Sequence, residues 1–194
     1  FRIIGNKAQM LRVDEEMDSD LLPQDEIALL ERVSEIFQRF PIGVVILQDY
    51  NKGVLTKNVI ESVIALSAAK GIPVVVDPKK KNFDAYKKVD LFKPNLKELS
   101  EGLKIDLDLN DIASIKSAAI AWQTNQSITA MMVTLSEAGV FIRDTSNGQV
   151  SEFHIPAHVR NIADVSGAGD TVISVASLCR AMGVSPFLTA SLSN

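Results

Sequence analysis

The sequence predicts an α/β fold in which helices cover both faces of a mostly parallel sheet. From Gly43 onward, short β-branched apolar runs alternate with amphipathic stretches. The runs are continuous rather than alternating, as expected of strands buried on both faces. With 194 residues, 46% hydrophobic and 23% charged, the chain has the size and composition of one globular domain.

The predicted elements follow one another along the chain. Strands are predicted over 43–48, 73–77, 89–93 and 129–135, and helices over 56–71, from residue 95 onward and around 108–125. A hairpin is predicted next, because Ser146-Asn147-Gly148 supplies turn residues between two β-rich runs. Residues 1–16 alternate like paired strands. Both ends look unfinished: the last segment starts a helix at Ser185 and Pro186 without a stop signal, which suggests a piece of a longer protein.

The charge and composition argue against several classes of function. Twenty Lys and Arg against 24 Asp and Glu give a net charge of −4, which disfavours nucleic acid and anionic membranes as partners. No run approaches the roughly 18 to 20 apolar residues of a membrane span, and no signal-peptide layout opens the sequence, so a cytoplasmic protein is expected. Cys179 is expected in the core. Pro156, between His154 and His158, argues against a helical zinc site.

Residues 164–170, DVSGAGD, precede an apolar run that Gly183 should end. The apolar positions of this run are Val172, Ile173, Val175, Ala176, Leu178, Cys179 and Met182. The first amides of a helix are unpaired and carry its positive dipole end, so the amides of residues 167–169 can hold a phosphate. Asp170 would repel that phosphate unless it accepts the proton of an attacking hydroxyl; capping the helix is its structural alternative.

Polar residues after the predicted strands are the other candidates, because ligands of such sheets bind at the carboxyl ends of the strands. Asn95 and Glu98 lie one helical turn apart and suit hydrated Mg²⁺ with its phosphates, or else a capping box. The other polar clusters are 49–52, 77–79, 93–95 and 134–139. Lys79-Lys80-Lys81 can attract a sugar phosphate, although such a run is ordinarily solvated.

Several stretches occur in a recognisable order across nearly the whole chain. They are QMLRVDEE, LQDYNKGVL, PVVVDPKKKNFDAY, KPNLKELS, VTLSEAGVFI and DVSGAGDTVISV. Together they resemble the ribokinase-like sugar kinases of the PfkB family, and within it the D-glycero-D-manno-heptose 7-phosphate kinases of lipopolysaccharide precursor synthesis. This resemblance implies a partial three-layer α/β/α kinase domain over 1–194, with lid-return strands in 1–16 and the core with its ATP site in 17–194. It also implies ATP and Mg²⁺ as cofactors, a small sugar substrate and a homodimer formed through the lid strands.

The resemblance also implies roles for single residues. Asp170 would be the catalytic base, and the amides of Gly167, Ala168 and Gly169 would form the anion hole. The nucleotide side would comprise Asn95, Glu98, Lys93, Thr134, Ser136, Gly139 and Asn194. Of these, Asn95 and Glu98 would organise Mg²⁺, and many family members have glycine at the position of Ser136. Candidates for the sugar side are Asp49, Lys52, Asp77 and Lys79.

The implied reaction is transfer of the γ-phosphate of Mg-ATP to a sugar hydroxyl, with heptose 7-phosphate becoming the 1,7-bisphosphate. One alternative is a related kinase for fructose phosphate, ribose or a nucleoside. Another is a non-catalytic nucleotide-binding regulator, against which Asp170 argues because a pure binder needs no base. A Rossmann dehydrogenase is disfavoured, since Val172 stands where the third glycine of G-x-G-x-x-G belongs. The His-x-Gly-His signature of a fused nucleotidyltransferase is absent from this sequence.

Overall fold

The computed structural model describes residues 2–5, 8–13, 18–157 and 167–194. The strands within these ranges are β1 (Arg2–Gly5), β2 (Ala8–Arg12), β3 (Val45–Gln48), β4 (Val74–Asp77), β5 (Leu91–Phe92), β6 (Ala130–Thr134), β7 (Val140–Asp144) and β8 (Ser151–Ile155). The helices are α1 (Pro23–Arg39), α2 (Lys57–Ala69), α3 (Leu96–Leu103), α4 (Ile112–Gln126), α5 (Ala168–Ala181) and α6 (Pro186–Ser193). None of these helices has the length and apolar character needed to cross a membrane.

Strands β3 to β8 form one six-stranded sheet in which each strand lies beside the next one in the chain. The pairs from β3 to β6 are parallel, and β7 and β8 are added antiparallel. Strands β1 and β2 form a separate antiparallel hairpin. The predicted mostly parallel sheet and the hairpin after residue 139 are therefore confirmed.

Helices cover both faces of the sheet, as the apolar runs predict. On one face, Val74, Val76 and Phe92 pack in a cluster with buried residues of α2, α3 and α4. On the other face, Val75 and Leu91 pack in a second cluster with residues of α5 and α6. Neighbouring residues of β4 thus enter different clusters, which explains why the strand is apolar throughout rather than alternating.

The buried stripe of α5 is narrower than the sequence predicts. Ile173, Ala176 and Cys179 are buried, so the expected core position of the cysteine is confirmed. Leu178 and Met182 were also expected on the apolar stripe, but they are 62% and 78% exposed. The prediction is wrong for these two because apolar spacing alone does not fix how wide a face the sheet covers.

Helix α1 was not predicted, because the sequence interpretation followed buried apolar runs and α1 has no buried residue. Its signals are Pro23 at the start, acidic residues in the first turn and Arg39 in the last turn. Glu26 accepts hydrogen bonds from the side chains of Thr56 and Asn58, the latter over 2.7 Å. This carboxylate therefore ties the first turn of α1 to the start of α2.

Candidate active site

The candidate residues converge at one edge of the sheet, where the parallel strands β3 to β6 reach their carboxyl ends. Helices α3 and α5 begin at this edge. Asp49 N donates to Asp77 O over 3.0 Å, and Thr134 N donates to Pro94 O over 3.1 Å. Each strand end is thus fixed to its neighbour, as expected of a doubly wound sheet.

The start of α5 is an open helix N-terminus. Gly167 is its N-cap residue with φ of 78°, a left-handed conformation that favours glycine. Gly167, Ala168 and Gly169 are exposed, and no side chain among the described residues caps the helix. A Cβ atom at either glycine would meet nothing within 4 Å. The predicted anion hole therefore has accessible amides; residues 164–166 of the motif lie outside the described residues.

Asp170 lies in the first turn of α5 rather than before the helix. Its Oδ1 accepts hydrogen bonds from Gln48 Nε2 at 2.5 Å and from Tyr50 Oη at 3.1 Å. Because Gly167 is the N-cap residue, the alternative that Asp170 caps the helix is wrong. Desolvation, followed by the hydrogen bond and the charge of Asp170, raises the pKa of Tyr50, so its hydroxyl remains a donor at neutral pH.

The sequence interpretation did not single out Gln48 or Tyr50, although Tyr50 falls in the polar cluster 49–52. The available signal was position: both residues stand at the carboxyl end of β3, facing the edge where the candidate base was expected. Their partner lies 122 and 120 residues away along the chain. Residue type and local spacing alone therefore gave no indication of this contact.

Asn95 and Glu98 form the capping box that the sequence analysis left as an alternative. Asn95 Oδ1 accepts from Glu98 N and Glu98 Oε2 accepts from Asn95 N, both over 2.8 Å. Glu98 Oε1 accepts from Lys79 Nζ, so both carboxylate oxygens of Glu98 are engaged. A single parallel bridge joins Asn95 to Thr134, which brings the start of α3 beside the end of β6. Capping does not exclude a role in binding, because carboxylate oxygens can accept more than one contact.

Asp77 and Lys93 form a buried ion pair beneath this helix start. Lys93 Nζ lies 3.1 Å from Asp77 Oδ1, and both side chains are at least 90% buried. Burial raises the pKa of Asp77; the charge of Lys93 lowers it and that of Glu98 raises it, and the net shift is upward. The pKa of Lys79 is lowered by burial, but the hydrogen bond and charge of Glu98 outweigh this and raise it overall.

The lysine run 79–81 does not behave as a uniformly solvated stretch. Lys80 is exposed and Lys81 pairs with Asp20 at 2.7 Å, which fits that expectation. Lys79 instead turns toward Glu98 and is only partly exposed, so the expectation is wrong for this lysine. It is held there by the carboxylate, which belongs to a different element of the fold.

Asp49 is buried, and its two carboxylate oxygens join its own loop to the segment that carries Asn82 and Tyr86. Oδ1 accepts from Asn51 N over 2.7 Å, and Oδ2 accepts from Tyr86 Oη over 2.9 Å and Asn82 Nδ2 over 3.3 Å. Burial of the Tyr86 phenol, followed by the charge of Asp49 and the hydrogen bond to it, raises the pKa of Tyr86. The carboxylate therefore shapes the loop 49–55, while Lys52 of the same cluster is exposed.

Residues 134–139 form a tight loop after β6. Ser136 has φ of 50°, a left-handed conformation that glycine adopts more readily than serine. Gly139 has φ of 89°, and a Cβ there would lie 2.0 Å from Ile155 O. Beyond β8, Asn194 Nδ2 donates to Pro156 O over 2.7 Å. His154 Nε2 lies 2.8 Å from Ala138 O. His158, the second histidine of the disfavoured zinc site, is outside the described residues.

The donor set fits a water-bridged magnesium ion better than a metal cage. Over the described part of the chain, no group of three or more His, Cys, Asp or Glu side chains is arranged to hold a metal. Magnesium usually keeps several waters and takes one or two carboxylates together with substrate phosphates. Glu98 supplies one such carboxylate at the edge of the sheet, and the amides of 167–169 supply donors for phosphate oxygens.

Comparison with known proteins agrees with this geometry. The model of the pfkB family carbohydrate kinases matches residues 28–186. A protein named Bifunctional protein HldE from Syntrophotalea carbinolica is 38% identical over all of this chain, and one of the same name from Caulobacter sp. is 37% identical. The chain spans about 38% of the length of each of these relatives.

Solved structures share the fold at lower identity. Phosphofructokinase-2 from Escherichia coli in complex with potassium superposes with a TM-score of 0.75 and 21% identity, covering 90% of this chain and 54% of that one. Ribokinase from Arabidopsis thaliana, complexed with ribose and ATP, gives a TM-score of 0.62 and 17% identity, covering 90% of this chain and 51% of that one. With its ribokinase-like fold and a family match over most of its length, this chain belongs to the pfkB family of carbohydrate kinases.

Proposed function

We propose that this chain carries the phosphoryl-transfer site of an ATP-dependent sugar kinase that converts D-glycero-D-manno-heptose 7-phosphate to the 1,7-bisphosphate in ADP-heptose synthesis. The observation that carries the proposal is the Asp170 carboxylate standing in the first turn of α5 beside three exposed amides. The heptose substrate is supported by the ordered motifs of the sequence and by the bifunctional HldE relatives.

Asp170 acts as the general base. It takes the proton of the sugar hydroxyl while that oxygen forms its bond to the γ-phosphorus and the bridging oxygen leaves with ADP. The amides of Gly167, Ala168 and Gly169 donate to the oxygens of the transferring group, where negative charge must be stabilised. A base and an anion hole side by side suit phosphoryl transfer better than nucleotide binding alone.

Glu98 and Asn95 organise the nucleotide side. When bound, Mg²⁺ supplies positive charge to the phosphates. Glu98 would hold this ion through water, and Lys79 keeps the Glu98 carboxylate oriented through their ion pair. Lys93 is bound to Asp77 and is 2% exposed, so we assign it to balancing that buried carboxylate rather than to contacting phosphate.

The remaining candidates flank these groups. We assign the nucleotide to the loop containing Thr134, Ser136 and Gly139, with Asn194 beyond it. We assign the sugar side to Lys52, Asp77 and Lys79. Asp49 stabilises the loop 49–55 through its hydrogen bonds. The hairpin β1–β2 forms a sheet of its own, which suits a lid and the interface of a cytoplasmic homodimer.

The test measures ADP release by the full-length protein with Mg-ATP and a panel of heptose 7-phosphate, fructose 6-phosphate, ribose and a nucleoside. Asp170→Asn should lower turnover about 10² to 10⁴-fold, the usual contribution of a general base, without weakening ATP binding. The matched control is Asp25→Asn, which alters an exposed aspartate at the same position of α1 and should leave turnover unchanged.

Three outcomes would contradict the proposal in whole or in part. Turnover that survives in Asp170→Asn removes the base assignment. No turnover with any acceptor, while ATP still binds, favours the non-catalytic nucleotide-binding alternative. Turnover restricted to an acceptor other than the heptose leaves a kinase of different specificity.

A further inference from the structure

Two side chains from the end of β3 converge on one oxygen of the candidate base. Gln48 Nε2 lies 2.5 Å and Tyr50 Oη 3.1 Å from Asp170 Oδ1, and Gln48 Nε2 lies 3.0 Å from Tyr50 Oη. The three groups therefore form a closed triangle of polar contacts. Two donors on one oxygen restrict rotation of the carboxylate about its terminal torsion, which is otherwise broad.

The other carboxylate oxygen, Oδ2, has no donor among the described residues. Across the described residues, all hydrogen bonds to the Asp170 side chain end on Oδ1, and none reaches Oδ2. Asp170 is also exposed at the edge of the sheet. An oxygen without a donor can approach the hydroxyl of an incoming acceptor at hydrogen-bond distance.

The loop that carries Tyr50 is itself held in place. Asp49 lies next to it in the chain, is 3% exposed and accepts hydrogen bonds from Asn51, Asn82 and Tyr86. Its backbone N–H donates to Asp77 O on β4. Tyr50 thus extends from an anchored turn, although its own side chain is 56% exposed.

We propose that Tyr50 and Gln48 are positioning residues that hold Asp170 Oδ1, so that Oδ2 is the atom that receives the proton of the acceptor hydroxyl. This inference rests on the proposed kinase function. Exposed contacts of this kind contribute little to the stability of the fold. Their effect is therefore on the orientation of the base, where small misplacements have large kinetic consequences.

The Tyr50 hydroxyl is protonated at neutral pH and can donate. Desolvation, then the hydrogen bond to Asp170 and the charges of Asp170 and Asp77, raise the pKa of its phenol, while the charge of Lys79 opposes them. Ionised, Tyr50 would repel the carboxylate instead of holding it. The pair therefore keeps its donor and acceptor roles over the neutral range of pH.

The first experiment is a double-mutant cycle in the full-length protein, with turnover measured by transfer of radioactive γ-phosphate. Tyr50→Phe should lower kcat about 10- to 100-fold and leave the KM for ATP within about two-fold. Gln48→Leu should act in the same direction. In the Asp170→Asn background, Tyr50→Phe should cause no further loss, because the group it positions is gone.

Tyr86→Phe is the control for removing a tyrosine hydroxyl from an aspartate elsewhere in the fold. It should lower the free energy of unfolding, and its effect on turnover should be the same in both backgrounds. Equal losses for Tyr50→Phe in both backgrounds would overturn the positioning role while leaving Asp170 as the base.

The second readout needs no turnover. In protein labelled with ¹³Cζ-tyrosine, the Tyr50 resonance is assigned by its loss in Tyr50→Phe and followed across pH. Asp170→Asn should shift the titration of Tyr50 to lower pH, since a raising charge is removed. An unchanged titration would refute the contact itself. Absence of turnover in the wild-type protein would instead remove the proposed function and, with it, the role of Oδ2.

Discussion

Two helices begin at the same edge of the sheet and are completed in opposite ways. The start of α3 is closed by its own side chains, since Asn95 and Glu98 bond each other's backbone amides. The start of α5 has a glycine N-cap and no capping side chain from the part of the chain that the structure describes. Both helices present the positive end of a dipole at this edge.

The difference shows that unpaired amides at a helix start can either be capped by side chains or be left for a ligand. Unpaired amides at a helix start must find partners in side chains, water or a ligand. In α3 side chains of the helix itself satisfy the amides of Asn95 and Glu98, and the buried pair of Asp77 and Lys93 lies beneath them. In α5 they face solvent beside Asp170. The closed start provides a rigid support, and the open start provides the place for an anion.

The largest effect is expected from removing the buried ion pair beneath the start of α3. Lys93→Met leaves Asp77 buried without its partner, which should cost about 3 to 5 kcal/mol of the free energy of unfolding at pH 7. Because the pKa of Asp77 is raised in the folded state, protonation of Asp77 favours folding at low pH and this contribution is lost as pH rises. The loss should therefore be smaller at pH 5 than at pH 7, as measured by urea unfolding.

The control for this variant is Lys97→Met, which removes an exposed lysine 3.9 Å from Glu101 on α3. Such a pair contributes about 0.3 to 0.5 kcal/mol at most. If Lys93→Met cost no more than this control, or lost the same stability at both pH values, the buried pair would not support the edge of the sheet as argued.

A variant of intermediate effect separates capping from binding at α3. Glu98→Gln keeps a capping side chain, because glutamine also completes a capping box, so the free energy of unfolding should change by less than about 1 kcal/mol. Turnover should fall about 10- to 100-fold, since the charge that would hold hydrated metal is lost. Glu101→Gln on the same helix is the matched control and should leave turnover unchanged.

The opposite pattern in Glu98→Gln would contradict a role in metal binding. A Glu98→Gln protein that unfolds more easily but has normal turnover would mean that Glu98 only caps the helix.

Asn95→Ala removes the other half of the capping box and should lower the free energy of unfolding by about 1 kcal/mol.

Two glycine variants, which are expected to change stability and not the chemistry of the site, test the description of the open region. Gly167→Ala must adopt φ near 78° and should cost about 1 to 2 kcal/mol, whereas Gly169→Ala lies within the helix and should stabilise it by about 0.5 to 1 kcal/mol. Neither Cβ meets another atom within 4 Å, so packing does not enter the comparison. Thermal unfolding of the two variants measures the difference; equal changes would show that Gly167 is not the N-cap residue.

Much of the fold was predictable because its strands are continuous apolar runs and its helices carry ordinary start and stop signals. Thr56 caps α2 and Gly183 follows α5, both where the sequence indicates. Helix α1 was not predicted, because it has no buried residue. The exposure of Met182 was not predicted either, because it depends on how much of α5 the sheet covers. These are properties of tertiary packing and not of local spacing.

The site was predictable in position but not in its pairing. Placing Asp170 and Glu98 at one edge required only the rule that parallel strands end together. Which lysine meets which carboxylate was not predictable, since Lys79 contacts Glu98 while Lys93 contacts Asp77. The contact between Tyr50 and Asp170 joins distant parts of the chain and appears only once the fold is complete.

The order of the strands in the main sheet has a consequence for folding. Each strand from β3 to β8 lies beside its successor in the chain, so each step closes only one connection before it forms new hydrogen bonds. Such stepwise pairing keeps the entropy of loop closure low at every stage. Among the described residues, β4 to β7 have a hydrogen-bonded strand on each side, and their amides should exchange with deuterium more slowly than those of the separate hairpin β1–β2.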